Sequence, residues 1–372
     1  MAADRFPCAN CGAQLVFQPG TTHLKCQYCG FEQDIIPEGD PVVELDIHAF
    51  SDKSRLDLEK EVDHIIHCNS CAAEFTVPAN EVTKSCPFCG SNVVVEAVQE
   101  SRIKPNGVLP FVLNDKRARD EVGKWLGSRF WAPNDLKKMA LKEGQLKGMY
   151  IPFWTYDAFT ETDYTGMRGE HYYVTVTDTD SEGRSRTRQE RRTAWYPASG
   201  QVEVDFDDLL VLASNAIPEK YGRRLQQWDL SMVAPADKKF LVGFQTMRYS
   251  IDLEDGFRIA EGMMVPQIDQ AIRYDIGGDE QQIHSRDTRY YDVTFKHLLL
   301  PVWVGGYRYR GKSYRFLVNG RSGEIQGEAP ISFWKVFFAV LLGLIVIGTC
   351  VYFYMQSEQS RGSSSSSYSR SY

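Results

Sequence analysis

Eight of the nine cysteines in this chain fall into four C-x-x-C pairs, and this spacing restricts what the first hundred residues can fold into. Fourteen residues separate the two pairs in each half, and the first half falls on the second without a gap after a shift of sixty residues. The sequence therefore contains an internal repeat. The paired cysteines are Cys8 and Cys11, Cys26 and Cys29, Cys68 and Cys71, and Cys86 and Cys89.

Each half of the repeat carries the ligands of one tetrahedral metal site. A C-x-x-C turn offers two sulfurs to one ion, and four thiolates complete the coordination of a structural Zn²⁺. Glycine follows the second cysteine at Gly12, Gly30 and Gly90, where it permits the left-handed backbone that closes such a turn, whereas Ala72 follows the third pair. A segment of this size buries little core, so a metal must supply its folding free energy, on the order of 10–16 kcal/mol in small zinc domains. We expect two zinc ribbons and two Zn²⁺ per chain.

Two alternatives to zinc stay open at this point. A rubredoxin-like iron site uses the same four cysteines, and unliganded or redox-active thiol pairs use the same C-x-x-C spacing. His23, His64 and His67 lie near the cysteines, but each ribbon already has four sulfurs, so we interpret them as bystanders. Paired C-x-x-C motifs indicate metal binding in a reducing compartment rather than a secreted disulfide scaffold.

The charge of the ribbon region argues against nucleic acid as its partner. Residues 1–97 hold six Lys/Arg against fifteen Asp/Glu, a net charge of −9, and the whole chain carries −7. Binding to a phosphate backbone depends on cationic side chains that displace counterions. A protein partner is therefore the better interpretation, and nucleic-acid binding is unlikely on charge alone.

Residues 336–355 are twenty residues without a charge, which as a helix span about 30 Å, the thickness of the bilayer core. Phe333, Trp334, Tyr352 and Tyr354 flank this stretch as interfacial aromatics do. We expect one membrane span, with Cys350 as an apolar filler inside it. No secretory signal opens the sequence, and thiolate sites need a reducing compartment. These observations favour the inner (cell) membrane, with the N-terminal bulk in the cytoplasm.

The middle of the chain alternates helical and strand patterns, which indicates an α+β body. Residues 114–130, 133–143 and 256–278 have helical periodicity, the first opened by Asn114 or Asp115 and the last expected to stop at the Gly277-Gly278 pair. Residues 238–251 have the pattern of a strand. Residues 148–166 and 297–316 echo each other, which we interpret as duplicated β-meander elements. The expected organisation is ribbon 1 (1–36), an acidic linker (37–62), ribbon 2 (63–97), the body (98–331), the transmembrane helix (332–355) and a disordered Ser-rich tail (356–372).

Two further motifs each allow a functional and a structural interpretation. Gly306–Ser313 matches G-x-x-x-x-G-K-[ST], but its filler is strand-like and a strand follows it, whereas a phosphate loop opens a helix. We therefore predict no nucleotide site. Arg184, Arg186 and Arg188 alternate, so on a strand they share one face. That face is either a patch for anionic lipid headgroups or a solvated hairpin with local acidic partners, and the second interpretation is favoured.

The order of these features resembles a bacterial family of zinc-ribbon, single-pass membrane proteins. The resemblance rests on the cysteine pairs and on "GMYIPFWTYDA", "YDIGGDEQQI", "FKHLLLPVWVGGYRY" and "VNGRSGEIQGEAP". Such proteins are often labelled as transcription-factor-IIB-type zinc ribbons or as primosomal-helicase-like. The chain has no helicase core, so we do not carry that activity over. The resemblance implies that this chain is a companion of phage-shock-type or flotillin-like proteins.

No catalytic set emerges from the sequence, because it contains no nucleophile elbow, no H-E-x-x-H motif and no convincing acid pair. We expect a non-enzymatic membrane adaptor that recruits protein partners to the cytosolic face, in a membrane-stress response. The alternatives are a membrane-tethered nucleic-acid-binding regulator and an enzyme whose site lies in the body.

Overall fold

The computed structural model describes residues 6–36, 42–48, 60–68, 74–76, 86, 91, 94–101, 103–133, 135–136, 146–179, 183–222, 224–225, 228–309 and 312–362. The strands are β1 (Leu15–Phe17), β2 (His23–Cys26), β3 (Glu32–Asp34), β4 (Leu45–Asp46), β5 (Lys60–His67), β6 (Glu74–Thr76), β7 (Val94–Ser101), β8 (Gly107–Val108), β9 (Leu146–Thr179), β10 (Ser185–Leu212), β11 (Ala234–Pro235), β12 (Gln245–Met247), β13 (Glu280–Tyr309), β14 (Lys312–Asn319) and β15 (Ile325–Gly327). The helices are α1 (Asp115–Ser128), α2 (Glu219–Gly222), α3 (Leu253–Ile276) and α4 (Phe333–Gly362).

Three long antiparallel strands form the frame of the body. β9 pairs with β10 along one edge and with β13 along the other. At about 3.3 Å per residue, the 34 residues of β9 trace a path of about 110 Å. The first echoing segment lies on β9, and the second begins on β13 and ends on β14. Their β9 and β13 parts pair with each other, with Pro152 opposite Leu299 and Tyr150 opposite Pro301. The chain is a mixed α+β protein with a cysteine cluster near its N-terminus and one apolar C-terminal helix, so the predicted fold class is confirmed.

α3 covers one face of the three long strands. Two side chains of β9 hold its first turn, because Trp154 Nε1 donates to the carbonyl of Ile251 (2.9 Å) and the Tyr156 hydroxyl donates to that of Leu253 (2.6 Å). The helix ends at Gly277, whose φ is 64°, as the sequence predicts. One apolar stripe of α3 is buried against the sheet and comprises Leu253, Gly256, Ala260, Met264, Ile268, Ile272 and Ile276.

α1 packs across the other end of the frame, where β13 and β14 form a hairpin. Asn114 caps α1, since its side chain accepts a hydrogen bond from the backbone amide of Arg117 (3.0 Å). Val122 and Leu126 are buried in the same cluster as Phe316 of β14. The predicted helix over residues 133–143 falls mostly outside the described residues.

The first ribbon is packed directly on the body through residues 238–248, here called the bridging segment. The backbone amide of Phe17 in β1 donates to the carbonyl of Val242 (3.1 Å). The Phe17 ring meets Phe240 edge to face at 5.4 Å and Phe244 at 6.3 Å. Buried residues of the ribbon and of the body therefore share one hydrophobic cluster.

β6, from the segment predicted to form the second ribbon, pairs with the same bridging segment. β6 pairs antiparallel with β12, Phe75 lying opposite Met247, and the amide of Arg248 donates to the carbonyl of Glu74 (3.0 Å). β12 in turn pairs parallel with β9. Leu45–Asp46, within the segment interpreted as an acidic linker, forms β4 against β13. These contacts join segments that the sequence analysis separates, and the domain boundaries drawn from the sequence stay predictions.

α4 runs from Phe333 to Gly362, and within it Phe333–Tyr354 is long and apolar enough to cross a membrane. These 22 residues span about 33 Å as a helix, and none of the apolar stretch is buried in the protein. The helix continues past Tyr354 into the segment interpreted as a disordered tail, because an established helix adds further residues at little cost. Residues 363–372 lie outside the described residues.

Two glycines of α3 test how closely the helix approaches the sheet. A Cβ on Gly256 would lie 2.8 Å from Cδ1 of Trp154, whereas a Cβ on Gly262 would meet nothing within 4 Å. We expect Gly256→Ala to destabilise the protein by roughly 1–3 kcal/mol through overpacking. Gly262→Ala should stabilise it by roughly 0.4–1 kcal/mol, since it restricts only the unfolded chain. Thermal unfolding of the detergent-solubilised protein measures both, and equal stability of the two variants would contradict the close packing.

Candidate metal centre

Two knuckles with the same backbone hydrogen bonds present the cysteines of the first ribbon. The amide of Cys8 donates to the carbonyl of Ala13 (2.7 Å), and the amide of Cys26 donates to that of Phe31 (2.8 Å). The amides of Gly12 and Gly30 close the turns onto the carbonyls of the first cysteine of each pair, at 2.8 and 3.1 Å. Both glycines have positive φ, 73° and 75°, which is why glycine follows the second cysteine.

The two knuckles bring four sulfurs into one group. The Sγ atoms of Cys8, Cys11, Cys26 and Cys29 all lie within 4.8 Å of one another. The Cys8–Cys29 and Cys11–Cys26 sulfur pairs are each 3.5 Å apart. In a tetrahedral site with metal–sulfur bonds of about 2.3 Å, neighbouring sulfurs are about 3.8 Å apart. The group therefore has the size and the donor set to hold a metal ion.

The backbone around this group also favours thiolates. A hydrogen bond from the amide of Cys29, opposed by burial, is the main cause that lowers the pKa of the Cys26 thiol to about 6. The pKa of Cys29 is raised to about 12 in spite of a hydrogen bond from the amide of Phe31, because burial and the neighbouring thiols favour its neutral form. A bound cation would supply the missing positive charge for all four sulfurs, so metal binding at this site releases protons.

The second ribbon is described only in part. Cys68 and Cys86 are buried, and the Cys68 sulfur lies 3.1 Å from the Ser91 hydroxyl. The amide of Cys86 donates to the carbonyl of Ser91 (2.7 Å), the bond that Cys26 makes with Phe31 sixty residues earlier. Cys71 and Cys89 lie outside the described residues. The second four-cysteine site thus stays a prediction, with one knuckle bond that follows the repeat.

The histidines near the cysteines have other neighbours. His23 Nε2 lies 3.5 Å from a carboxylate oxygen of Glu32, and His67 Nδ1 lies 3.4 Å from one of Glu74. The side chain of His64 lies outside the described residues. These positions agree with the interpretation of His23 and His67 as bystanders.

A second group of potential metal ligands, which the sequence did not reveal, comprises Asp157, Asp207 and Asp208. It forms where a bulge in β10, between Phe206 and Leu209, faces β9. Lys296 Nζ already lies among these carboxylates, 2.7 Å from Asp208 and 3.9 Å from Asp157. Burial raises the pKa of Asp157. The group is therefore an internal ion pair that only long-range strand pairing creates.

The two other motifs fall at opposite ends of the frame. The pairing of β13 with β14 ends at Tyr309 opposite Lys312. The described residues of the segment that resembles a phosphate loop therefore lie at the end of β13 and the start of β14. Arg186 and Arg188 lie on β10 in its hairpin with β9, far along the strands from α4, and Arg188 contacts Asp178 (3.2 Å). This arrangement fits a hairpin with local acidic partners better than a lipid patch beside the membrane helix.

One curated protein is similar in sequence to most of this chain. The uncharacterized protein YdjG of Bacillus subtilis (strain 168) is 25% identical over 339 residues, which cover 89% of this chain and 91% of that protein. No family model and no solved structure matches the chain. The relationship is distant, and it covers most of both chains.

Loss of one ligand tests the sulfur group. We expect Cys11→Ser to lower the bound metal of the purified full-length protein by one ion per chain, because a three-thiolate site with an exposed opening binds far more weakly. Elemental analysis against protein concentration measures this loss. Cys350→Ser, in the apolar helix, is the matched control and should leave the metal content unchanged. An unchanged metal content in Cys11→Ser would show that these sulfurs hold no ion.

Proposed function

We propose that this protein is a non-enzymatic adaptor that holds two structural zinc ions and recruits a protein partner to the cytosolic face of a membrane. The observation that carries the proposal is the four-sulfur group of the first ribbon, fixed on a body that ends in an apolar helix. A metal enclosed by four protein ligands has no open position for a substrate, as is typical of structural zinc. Thiolate ligands favour zinc over harder divalent ions.

The surface of the first ribbon supports a protein partner. Tyr28, at the tip of the second knuckle, is 86% exposed, and Ile36 is 74% exposed. An exposed aromatic on a rigid turn is the kind of anchor that protein interfaces use. The acidic charge of residues 1–97 selects a partner with a basic or mixed face and repels a phosphate backbone.

The apolar helix gives the adaptor its location. With the ribbons in the reducing cytosol, α4 confines a captured partner to the membrane surface and raises its local concentration there. By the family resemblance, a phage-shock-type or flotillin-like protein is the guest to test first, and the function would belong to a membrane-stress response. A nucleic-acid-binding regulator is the alternative, and duplex DNA binding at physiological salt by the full-length protein would favour it.

The recruitment proposal predicts that ribbon surface changes release the partner without loss of metal. In affinity capture from solubilised native membranes, the double change Tyr28→Ser with Asp34→Lys should lower the recovered partner by about tenfold, the cost of removing one interface anchor and reversing one charge. Tyr274→Ser is the matched control, because Tyr274 is 91% exposed on α3 and far from the ribbon. Full recovery with the double variant, at unchanged metal content, would show that the ribbon is not the binding surface.

The proposed orientation predicts protection from external protease. Protease added to intact spheroplasts should remove at most the Ser-rich residues after α4, since the ribbons and the body lie inside. An epitope at residue 1 and another at residue 372, followed by immunoblotting, report both ends. Digestion of the N-terminal epitope in intact spheroplasts would reverse the assigned topology.

A further inference from the structure

The end of the body next to the apolar helix is tied to it by direct contacts. The amide of Ser332 donates to the carbonyl of Trp131 (2.7 Å). Lys335, in the first turn of α4, donates from Nζ to the carbonyls of Phe130 (3.0 Å) and Ala132 (2.8 Å). The loop after α1 is therefore held beside the point where α4 enters the membrane.

This loop presents two large aromatic side chains to the outside. Phe130 is 71% exposed and Trp131 is 43% exposed, with their rings edge to face at 5.1 Å. They lie at the same end of the protein as Phe333 and Trp334, the first aromatics of α4. Aromatic residues with one polar and one apolar side are enriched at the membrane–water interface.

The same end carries a cationic cavity. A cavity of about 200 Å³ is lined by side chains of the β13–β14 hairpin, of the loop and of the segment before α4: Pro133, Tyr309, Lys312, Tyr314, Pro330, Ile331 and Ser332. Lys312 is the charged side chain of this lining. In sequence, residues 305–315 around it carry four Lys/Arg and no Asp/Glu. The lining is therefore suited to an anionic group.

We propose that this end of the body is a second, peripheral contact with the bilayer, in which Phe130 and Trp131 lie in the interface and Lys312 faces anionic phospholipid headgroups. The inference rests on the proposed membrane anchor and adds a surface and a lipid class to it. Continuity with α4 selects the bilayer as the occupant, because the contacts of Ser332 and Lys335 keep the loop beside the membrane-spanning residues.

The proposal also assigns a function to Lys312 in the segment that resembles a phosphate loop. Lys312 begins a strand, so no helix N-terminus is available there for a nucleotide phosphate. A lysine beside an anionic membrane surface needs no such helix, and each one strengthens the attraction by about fivefold. Two contacts, α4 and this surface, would fix the body against the membrane and point the β9–β10 hairpin away from it.

Fluorescence of the full-length protein in lipid nanodiscs tests the contact. The difference between the tryptophan emission of the wild type and that of Trp131→Phe is the emission of Trp131. Phospholipids brominated near the headgroup quench this emission only at close range. We expect most of this difference emission to be quenched in discs that contain phosphatidylglycerol. Trp195→Phe is the matched control, because Trp195 lies in the β9–β10 hairpin and its difference emission should be unaffected. Lys312→Glu should reduce the quenching of Trp131 to its level in discs of phosphatidylcholine alone.

The outcomes separate this contact from the anchor. If the protein enters the discs but Trp131 is no more quenched than Trp195, the peripheral contact is wrong and the anchor stands. If Trp131 is quenched equally in both lipids and Lys312→Glu has no effect, the anionic headgroup assignment is wrong. If the protein does not enter the discs at all, both the anchor and this inference fail.

Discussion

The packing of both ribbons against residues 238–248 is the constraint on which the rest of the structure depends. Phe17 of the first ribbon bonds to Val242 and packs on Phe240, while Phe75 of the second pairs with Met247. β12 then joins this segment to β9. Folding free energy that a metal would supply to the first ribbon would therefore be passed to the body, and the body in turn covers Phe17 of that ribbon. We infer that the metal sites and the body fold as one unit.

This arrangement suits an adaptor. A small metal-stabilised turn loses little conformational entropy when it binds, and a rigid attachment to the body fixes the direction in which Tyr28 points. The two proposed contacts differ in charge, because residues 1–97 carry a net charge of −9 whereas Lys312 lines the cavity beside α4. We propose that the first meets a protein partner and the second an anionic bilayer.

Features that depend on neighbouring residues in the sequence could be predicted from the sequence alone. The knuckles of the first ribbon, the N-terminal cap of α1, the C-terminal end of α3 and the apolar span each depend on residues a few positions apart, and all were visible as patterns. Long-range pairing was not visible in the sequence. Residues 238–251 were predicted to form one strand, and this prediction was wrong for most of the segment. Asp237 caps a 3-10 turn by accepting a hydrogen bond from the backbone amide of Lys239 (2.8 Å), and Gly243 has a φ of 90°. Within this segment, Gln245–Met247 alone forms a strand. The ion pair of Lys296 with Asp208 was likewise hidden, because it joins two strands that meet only through β9.

Hydrogen–deuterium exchange of the full-length protein, with and without a chelator, tests the coupling most directly. The account predicts that metal removal exposes the amides of β1 and also those of residues 240–248, while β9 amides under α3, such as those of residues 158–166, keep their protection. Loss of protection confined to the ribbons, with residues 240–248 unchanged, would contradict the claim that the metal sites and the body fold as one unit.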